Sequence, residues 1–361
     1  MKTLRVNLKE NSYDIQIGAG LLHHAGELIR TVYPGKRAVL VSDIQIWKLH
    51  GKALIDSLTE VGIEPQSVIL PQGEQVKQLS NLEKLYTAFV EAGLTRSDIV
   101  IAFGGGVIGD LTGFAAATYM RGIRYIQIPT TLLAQVDASV GGKTAVDLNE
   151  GKNLVGAFWQ PKTVIMDTDV LTTLTGRDFS SGMAEVIKYG AIRSESLFER
   201  LESIADRTKL MNEIEEIIYE CCNIKRAVVE ADERDTGERM LLNFGHTFGH
   251  AVEKLGNFET FTHGESVAIG MMLAVRLGID LGITDREVLA RMQNVISQFG
   301  LPTESDYTVS DMFDTMLHDK KNISDQINFI LLRTIGESII EPMPTVKLDE
   351  LINGRSDEWT R

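Results

Sequence analysis

Along the first 178 residues, short runs of β-branched residues alternate with helical patterns and glycine-rich turns, and beyond Gly182 that alternation gives way to long helical periodicity. This change of rhythm constrains the fold more than any other feature. Strand and helix in repeated alternation bury their apolar runs as a mainly parallel sheet covered by helices. The strand candidates are Ala38–Ser42, Ser67–Leu70, Ile99–Phe103, Tyr125–Ile128 and Val164–Met166, preceded by two alternating strands in the N-terminal stretch MKTLRVNLKENSYDIQIG. Helical periodicity marks Met183–Arg193, Leu197–Glu230, Arg239–Leu255, Glu265–Leu281 and Arg286–Phe299. An α/β domain over residues 1–178 and an all-α domain over residues 179–361 are expected, parted in the Thr175–Gly182 segment with its two glycines and paired serines. The alternating stretch Asn328–Leu332 fits a strand or the end of a helix equally well.

A chain of 361 residues is too long for one ordinary core, and 43% hydrophobic with 24% charged residues is the composition of a folded protein. The N-terminal stretch lacks the apolar run of a secretory signal. The most apolar later segment, Val267 to Ile283, contains Arg276 and Asp280 and reads as a buried helix, so no membrane is expected. The adjacent Cys221 and Cys222 cannot frame a disulfide scaffold or a four-thiolate zinc site, which points to a reducing cytoplasm. A net charge of −14 opposes nucleic acid. Any anionic ligand is then small and met by local cations.

After the strand ending at Phe103, Gly104, Gly106 and Gly109 satisfy G-x-G-x-x-G. Glycines at a strand-to-helix turn let backbone N–H groups approach a pyrophosphate at the positive helix end. A tight turn that merely packs helix on sheet is the alternative, and no acidic residue follows the next strand where a standard dinucleotide fold holds the ribose. Asp43 at the end of an earlier strand can accept ribose hydroxyls or simply cap the following helix. Gly73 and Glu74 follow the strand ending at Leu70, and Thr130 and Thr131 complete a rim. Ser139-Val140-Gly141-Gly142-Lys143-Thr144 resembles the end of a Walker phosphate loop, but that motif requires glycine where Asp137 stands. A P-loop ATPase is rejected, and Lys143 remains as a cation on a glycine-rich loop.

On one continuous helix, Arg239, Asn243, His246 and His250 share a face, and most of the intervening residues are apolar or glycine. A polar stripe on an apolar helix fits a wet cleft better than ordinary surface. Three of the seven histidines fall between His246 and His263. The H-x-x-x-H pair suggests a divalent metal, whereas Thr247 stands where a zinc protease needs glutamate. Glu185, one helical turn before Lys188, is one of many carboxylates able to complete the site, and His263 fits either a ligand or a helix cap.

The segments Gly104–Asp110, Gln135–Lys143, Gly182–Gly190 and Asn243–His250, in this order, resemble the 3-dehydroquinate synthase family, a resemblance that runs along nearly the whole chain. It implies a Rossmann-like NAD-binding domain over residues 1–178 and a helical metal- and substrate-binding domain over residues 179–361. It implies NAD and Zn2+ or Co2+ as cofactors, with Glu185, His246 and His263 as metal ligands. Asp43, Gly73, Glu74, Lys77, Gly105, Gly106, Val107, Gly109, Asp110, Thr130, Thr131, Lys143 and Lys152 are the implied cofactor contacts. Substrate would be held by Asp137, Lys143, Lys152, Asn153, Lys188, Arg239, Asn243, His250 and one of Lys320 and Lys321, with Arg121 reaching a neighbouring subunit in a homodimer. Of these, Lys143, Lys188, Arg239, Asn243 and His250 are the expected catalytic set.

The implied reaction turns 3-deoxy-D-arabino-heptulosonate 7-phosphate into 3-dehydroquinate by transient oxidation, phosphate elimination, re-reduction, ring opening and aldol closure. Two anionic groups on that sugar acid phosphate explain clustered lysines and arginine in an acidic chain. The competing readings are another sugar phosphate cyclase, a metal-dependent glycerol or alcohol dehydrogenase that would release NADH, and a catalytically dead NAD binder.

Overall fold

The computed structural model describes residues 1–235, 237–320 and 326–348. They divide into two compact units, one made of residues 1–175 and 212–234, the other of residues 176–211 and those from 235 onward. The first unit contains β1 (Lys2–Val6), β2 (Tyr13–Gly18), α1 (Ala25–Arg30), β3 (Arg37–Asp43), α2 (Ile44–Glu60), β4 (Glu64–Leu70), α3 (Leu79–Glu91), β5 (Ile99–Gly104), α4 (Gly106–Thr118), β6 (Arg124–Pro129), β7 (Lys143–Leu148), β8 (Gly151–Phe158) and β9 (Thr163–Asp167).

Seven of these strands form one sheet in the order β1-β2-β9-β6-β5-β3-β4, antiparallel only between β1 and β2. Every residue of β5 and β9 is buried, as strands covered on both faces require. Val39, Val100 and Tyr125 on the sheet pack with Leu85 and Phe89 of α3 and with Leu111 and Phe114 of α4. From β3 the chain moves outward to β4 and then returns to lay β5 on the other side of β3. That reversal creates a switch point at the carboxyl ends of β3 and β5, where open α/β sheets leave a crevice. The hairpin of β7 and β8 stands apart from the main sheet and was not expected. Its glycines obscure the strand pattern, and Lys143, expected on a loop, opens β7.

The second unit contains α5 (Gly176–Arg193), α6 (Glu195–Ser203), α8 (His246–Leu255), α9 (His263–Asp280), α10 (Glu287–Gln298), α11 (Val309–Lys320), β10 (Gln326–Thr334) and β11 (Glu337–Pro344). Between α6 and α8 runs α7 (Arg207–Ala231), most of which belongs to the first unit. The C-terminal part is thus largely helical rather than all-α, because β10 and β11 pair as an antiparallel hairpin. Asn328–Leu332 is strand. The Thr175–Gly182 segment, read as a connection, supplies the first turns of α5.

Two other helical expectations need correction. The expected helix Leu197–Glu230 is broken after Ser203, where Ile204 turns extended and Asp206 accepts from Lys209 N at 2.9 Å to start α7. The expected helix Arg239–Leu255 is also two pieces: a 3-10 helix over Glu238–Asn243 and then α8, parted by Gly245 at φ +81°. Arg239 and Asn243 therefore do not share a helical face with His246 and His250.

Glycine sets how closely the helices of the second unit approach. A Cβ built on Gly270 of α9 would lie 1.9 Å from the Gly245 carbonyl oxygen and 2.7 Å from Gly249 N. One on Gly264 would lie 2.0 Å from the Ser181 carbonyl oxygen of α5. Only hydrogen fits at these crossings, so α9 is drawn against both α8 and α5. Gly270→Ala is expected to force the helices apart and destabilise the protein by about 3 kcal/mol, as overpacking does; denaturant unfolding with an unchanged midpoint would contradict this account of the packing.

Candidate active site

The closely packed helices bring together residues far apart in sequence. Glu185 of α5 is fully buried, and its Oε1 has no hydrogen-bond partner among the described residues. Its Oε1 lies 3.6 Å from His246 Nε2 and 3.8 Å from His263 Nε2. All three donor atoms fall within 4.8 Å of one another. Lys188, one turn along α5 and equally buried, forms an ion pair with the same carboxylate.

Lys188 compensates the charge at Oε2, but Oε1 faces the two imidazoles with no hydrogen-bond donor among the described residues, a cost that a cation at that point would remove. Ligands about 2.0–2.2 Å from a tetrahedral ion lie about 3.4 Å from each other, close to the spacing seen here. Three protein donors with a remaining open position is also the arrangement of a catalytic centre. The second ring nitrogens are engaged as such a centre requires. His246 Nδ1 lies 3.2 Å from the Phe244 carbonyl oxygen, and a carbonyl only accepts, so Nδ1 carries the proton and Nε2 keeps its lone pair. Burial first, then Lys188, His263 and His250, hold the His246 pKa well below its ordinary value, so the ring is neutral at pH 7. The residues present fit a divalent cation.

Thr262, not His263, caps α9: its hydroxyl accepts from Glu265 N at 3.3 Å while Glu265 accepts from Thr262 N at 2.7 Å. Arg177, at the start of α5, grips the same Glu265 through two bonds of 2.8 and 2.7 Å. The helices that carry Glu185 and His263 are thereby pinned at their N-termini. Arg239 is buried in its 3-10 turn, whereas Asn243 and His250 are exposed, with the His250 ring centroid 5.5 Å from that of His246. Lys320 ends α11, but its side chain and the whole of Lys321 lie outside the described residues.

In the first unit the expected nucleotide residues gather at the carboxyl end of the sheet. Gly105 caps α4, Gly106 opens it, and a Cβ on Gly109 would lie 2.9 Å from Gln127 Oε1. Val107 packs against the core cluster. Asp43 does cap α2, accepting from Gln45 N and Ile46 N at 2.9 and 3.0 Å, but both bonds use Oδ1. Capping and a ligand contact through Oδ2 are compatible. Thr130, after β6, is buried with a hydroxyl that has no hydrogen-bond partner among the described residues, and Thr131 Oγ1 accepts from Ala134 N at 3.2 Å.

Gly73, at φ +111°, leads into Glu74 and the buried Lys77, whose ammonium pairs with Asp110 Oδ2 at 2.6 Å and donates to Asn153. Burial alone would lower the Lys77 pKa, but the Asp110 and Glu74 carboxylates outweigh it and raise it. Lys152 approaches Glu74 at 3.8 Å. Asp147, which the sequence reading missed, accepts from Asn153 N at 2.8 Å and holds that residue at φ +58°.

A second omission is Lys225. It is buried on α7 and grips Asp137 at 2.8 Å through both the carboxylate and the backbone carbonyl. Asp137 itself lies on a π-helical turn, Ala134–Ala138, a local irregularity frequent at functional sites. A lysine inside a long helical pattern carries no signal of its own in the sequence. Arg121 is exposed at φ +68°, between Met120 at +51° and Gly122 at +115°.

A parallel α/β sheet with a glycine-lined switch point and a helical unit bearing a three-donor centre around the buried Glu185 define a class of cofactor- and metal-dependent enzymes. Comparison narrows it. Family models for the 3-dehydroquinate synthase N-terminal and C-terminal parts match residues 67–181 and 182–322. The 3-dehydroquinate synthase of Clostridium botulinum (strain Alaska E43 / Type E3) is 47% identical over 342 residues, covering 94% of this chain and 98% of that one. Among solved structures, 2-deoxy-scyllo-inosose synthase complexed with carbaglucose-6-phosphate, NAD+ and Co2+ is similar, with a TM-score of 0.87 at 25% identity over 98% of this chain and 100% of that one. So is 2-epi-5-epi-valiolone synthase from Streptomyces hygroscopicus subsp. jinggangensis 5008 with NAD+ and Zn2+ bound, with a TM-score of 0.86 at 26% identity over 96% and 98% of the two chains. The chain belongs to the 3-dehydroquinate synthase family.

His263→Ala is expected to lower zinc content and activity together, measured by elemental analysis of the purified protein alongside turnover. Full zinc content in that variant would remove His263 from the centre.

Proposed function

We propose that this chain converts 3-deoxy-D-arabino-heptulosonate 7-phosphate to 3-dehydroquinate and phosphate, with NAD and one divalent cation, Zn2+ or Co2+, as cofactors. The observation that carries the reading is the convergence of His246 and His263 on the buried Glu185, beside Lys188, in a member of this family. When bound, NAD supplies a transient two-electron oxidation that acidifies the C–H next to the phosphate-bearing carbon, and the cation supplies Lewis-acid polarisation of the reacting hydroxyl.

The side chains hold and orient. In the second unit, Lys188 and Arg239 offer charge-assisted hydrogen bonds to the anionic groups of the substrate. Their burial keeps them from being screened by water, which strengthens the pairing. Asn243 and His250, both exposed, are assigned to orient substrate hydroxyls, and His250, whose ring lies against those of His246 and His263, is the candidate to relay a proton. In the first unit, Lys143, Lys152 and Asn153 serve as further substrate donors, with Asp137 as an acceptor that Lys225 keeps in position. NAD is assigned to the switch-point residues: Asp43, Gly73, Glu74, Lys77, Gly105, Gly106, Val107, Gly109, Asp110, Thr130 and Thr131, with Lys143 and Lys152 nearby in the chain's own hairpin.

Arg121 is assigned to a homodimer in which it serves the partner's site, and one of Lys320 and Lys321 to the substrate, both on the family resemblance. No helix among the described residues is long and apolar enough to cross a membrane. A cytoplasmic setting suits the buried free thiols of Cys221 and Cys222.

Incubation with the seven-carbon substrate is expected to release phosphate only when NAD and metal are both present, with no net NADH, and a chelator is expected to abolish release. Steady NADH accumulation from a simple polyol would favour a dehydrogenase instead, and turnover of a sugar phosphate without a carboxylate would favour another cyclase. Arg239→Ala is expected to raise the KM for substrate by 10-fold or more, roughly the cost of a charge-assisted bond, with NAD affinity nearly unchanged in titration. Collapse of NAD binding would contradict the role given to Arg239.

A further inference from the structure

His263 is the most exposed of the three donors. It is the first residue of α9, and its side chain is 34% exposed, against 13% for His246 and 1% for Glu185. The nitrogen turned away from Glu185, Nδ1, lies 3.5 Å from Oε2 of Glu253, a carboxylate only 6% exposed. Glu253 sits on α8 seven residues beyond His246 and three beyond His250, so it shares their helical face and stands one further turn along it. The glycine crossing of α8 and α9 brings this face against the start of α9.

We propose that Glu253 is a positioning residue of the metal centre: its carboxylate accepts the Nδ1–H of His263, fixing the tautomer that leaves the lone pair on Nε2 and aiming that atom at Glu185 and His246. An imidazole ligand commonly donates its other N–H to a carboxylate, which orients the ring and raises its basicity. Glu253 thus does for His263 what the Phe244 carbonyl does for His246. Glu253, His250 and His263 also form a three-donor group by themselves, but it would use the opposite ring nitrogen of His263 from the one facing Glu185. Direct ligation by Glu253 is therefore a distinct and separable alternative.

The inference rests on reading Glu185, His246 and His263 as the metal centre. It is tested without substrate on the full-length protein. Zn2+ affinity is measured by competition with a chromophoric chelator, and the visible spectrum of the Co2+ form is recorded, for wild type, Glu253→Ala, Glu253→Gln and His263→Ala. Glu253→Ala is expected to weaken Zn2+ binding by about 10–100-fold and to shift the Co2+ bands. Glu253→Gln, whose amide oxygen still accepts the Nδ1–H, is expected to fall between Glu253→Ala and wild type. Thermal melting of the metal-free proteins identifies a variant that has not folded, and Glu253→Gln then decides alone, its prediction being affinity below wild type but above His263→Ala. Wild-type affinity and an unchanged Co2+ spectrum in the Glu253 variants would overturn the proposal. Losses in both Glu253 variants as large as in His263→Ala would also overturn it, making Glu253 a ligand. Should His263→Ala itself keep wild-type affinity, the metal-centre reading fails first, an outcome visible independently of Glu253.

Discussion

A buried carboxylate with one oxygen on a lysine and the other turned to two imidazoles is the constraint around which the second unit is organised. Glu185 is buried, and among the described residues its oxygens meet the Lys188 ammonium and the two imidazole edges of His246 and His263. A charge in such surroundings is expensive, and a fold keeps one only where cations compensate it or function requires it. Keeping three donors within a few ångströms demands helices closer together than side chains normally permit. The crossings at Gly245, Gly249, Gly264 and Gly270 meet that demand. The Arg177–Glu265 pair and the Thr262 cap then hold the N-termini of α5 and α9, so the centre is braced from outside as well as packed from within.

The first unit deals with charge in a different way. Its lysines are placed against carboxylates: Lys77 on Asp110, Lys225 on Asp137 and Lys152 near Glu74. In an acidic chain this local pairing gives small regions of defined polarity, which suits a small anionic ligand. The left-handed backbone at Asn153, held by Asp147, turns the tip of the β7–β8 hairpin toward Lys77. Backbone conformation and charge placement act together there.

The strand candidates, the glycine turn after β5 and the helical character of the later half were all legible in the linear pattern, since hydrophobic periodicity reports directly on which face is buried. The polar stripe from Arg239 to His250 was legible as a set of residues but misread in geometry. A period of 3.6 looks the same whether the helix is continuous or broken, and only the left-handed Gly245 reveals that Arg239 and Asn243 sit on a separate 3-10 turn. The β7–β8 hairpin and the roles of Lys225, Asp147 and Glu253 left no local signal, because each depends on a partner many residues away or on another element.

The sequence by itself determined the class of fold and, through its ordered motifs, the family, because both are written in residue types at short fixed spacings. It also named the histidines. Which carboxylate joins them was not readable from spacing, since the chain has 50 acidic residues and any of them has the right chemistry. The family resemblance named Glu185, but the physical reason for that choice appears only in the tertiary structure, because burial and distance to two imidazoles are properties of packed helices and exist nowhere in the linear order.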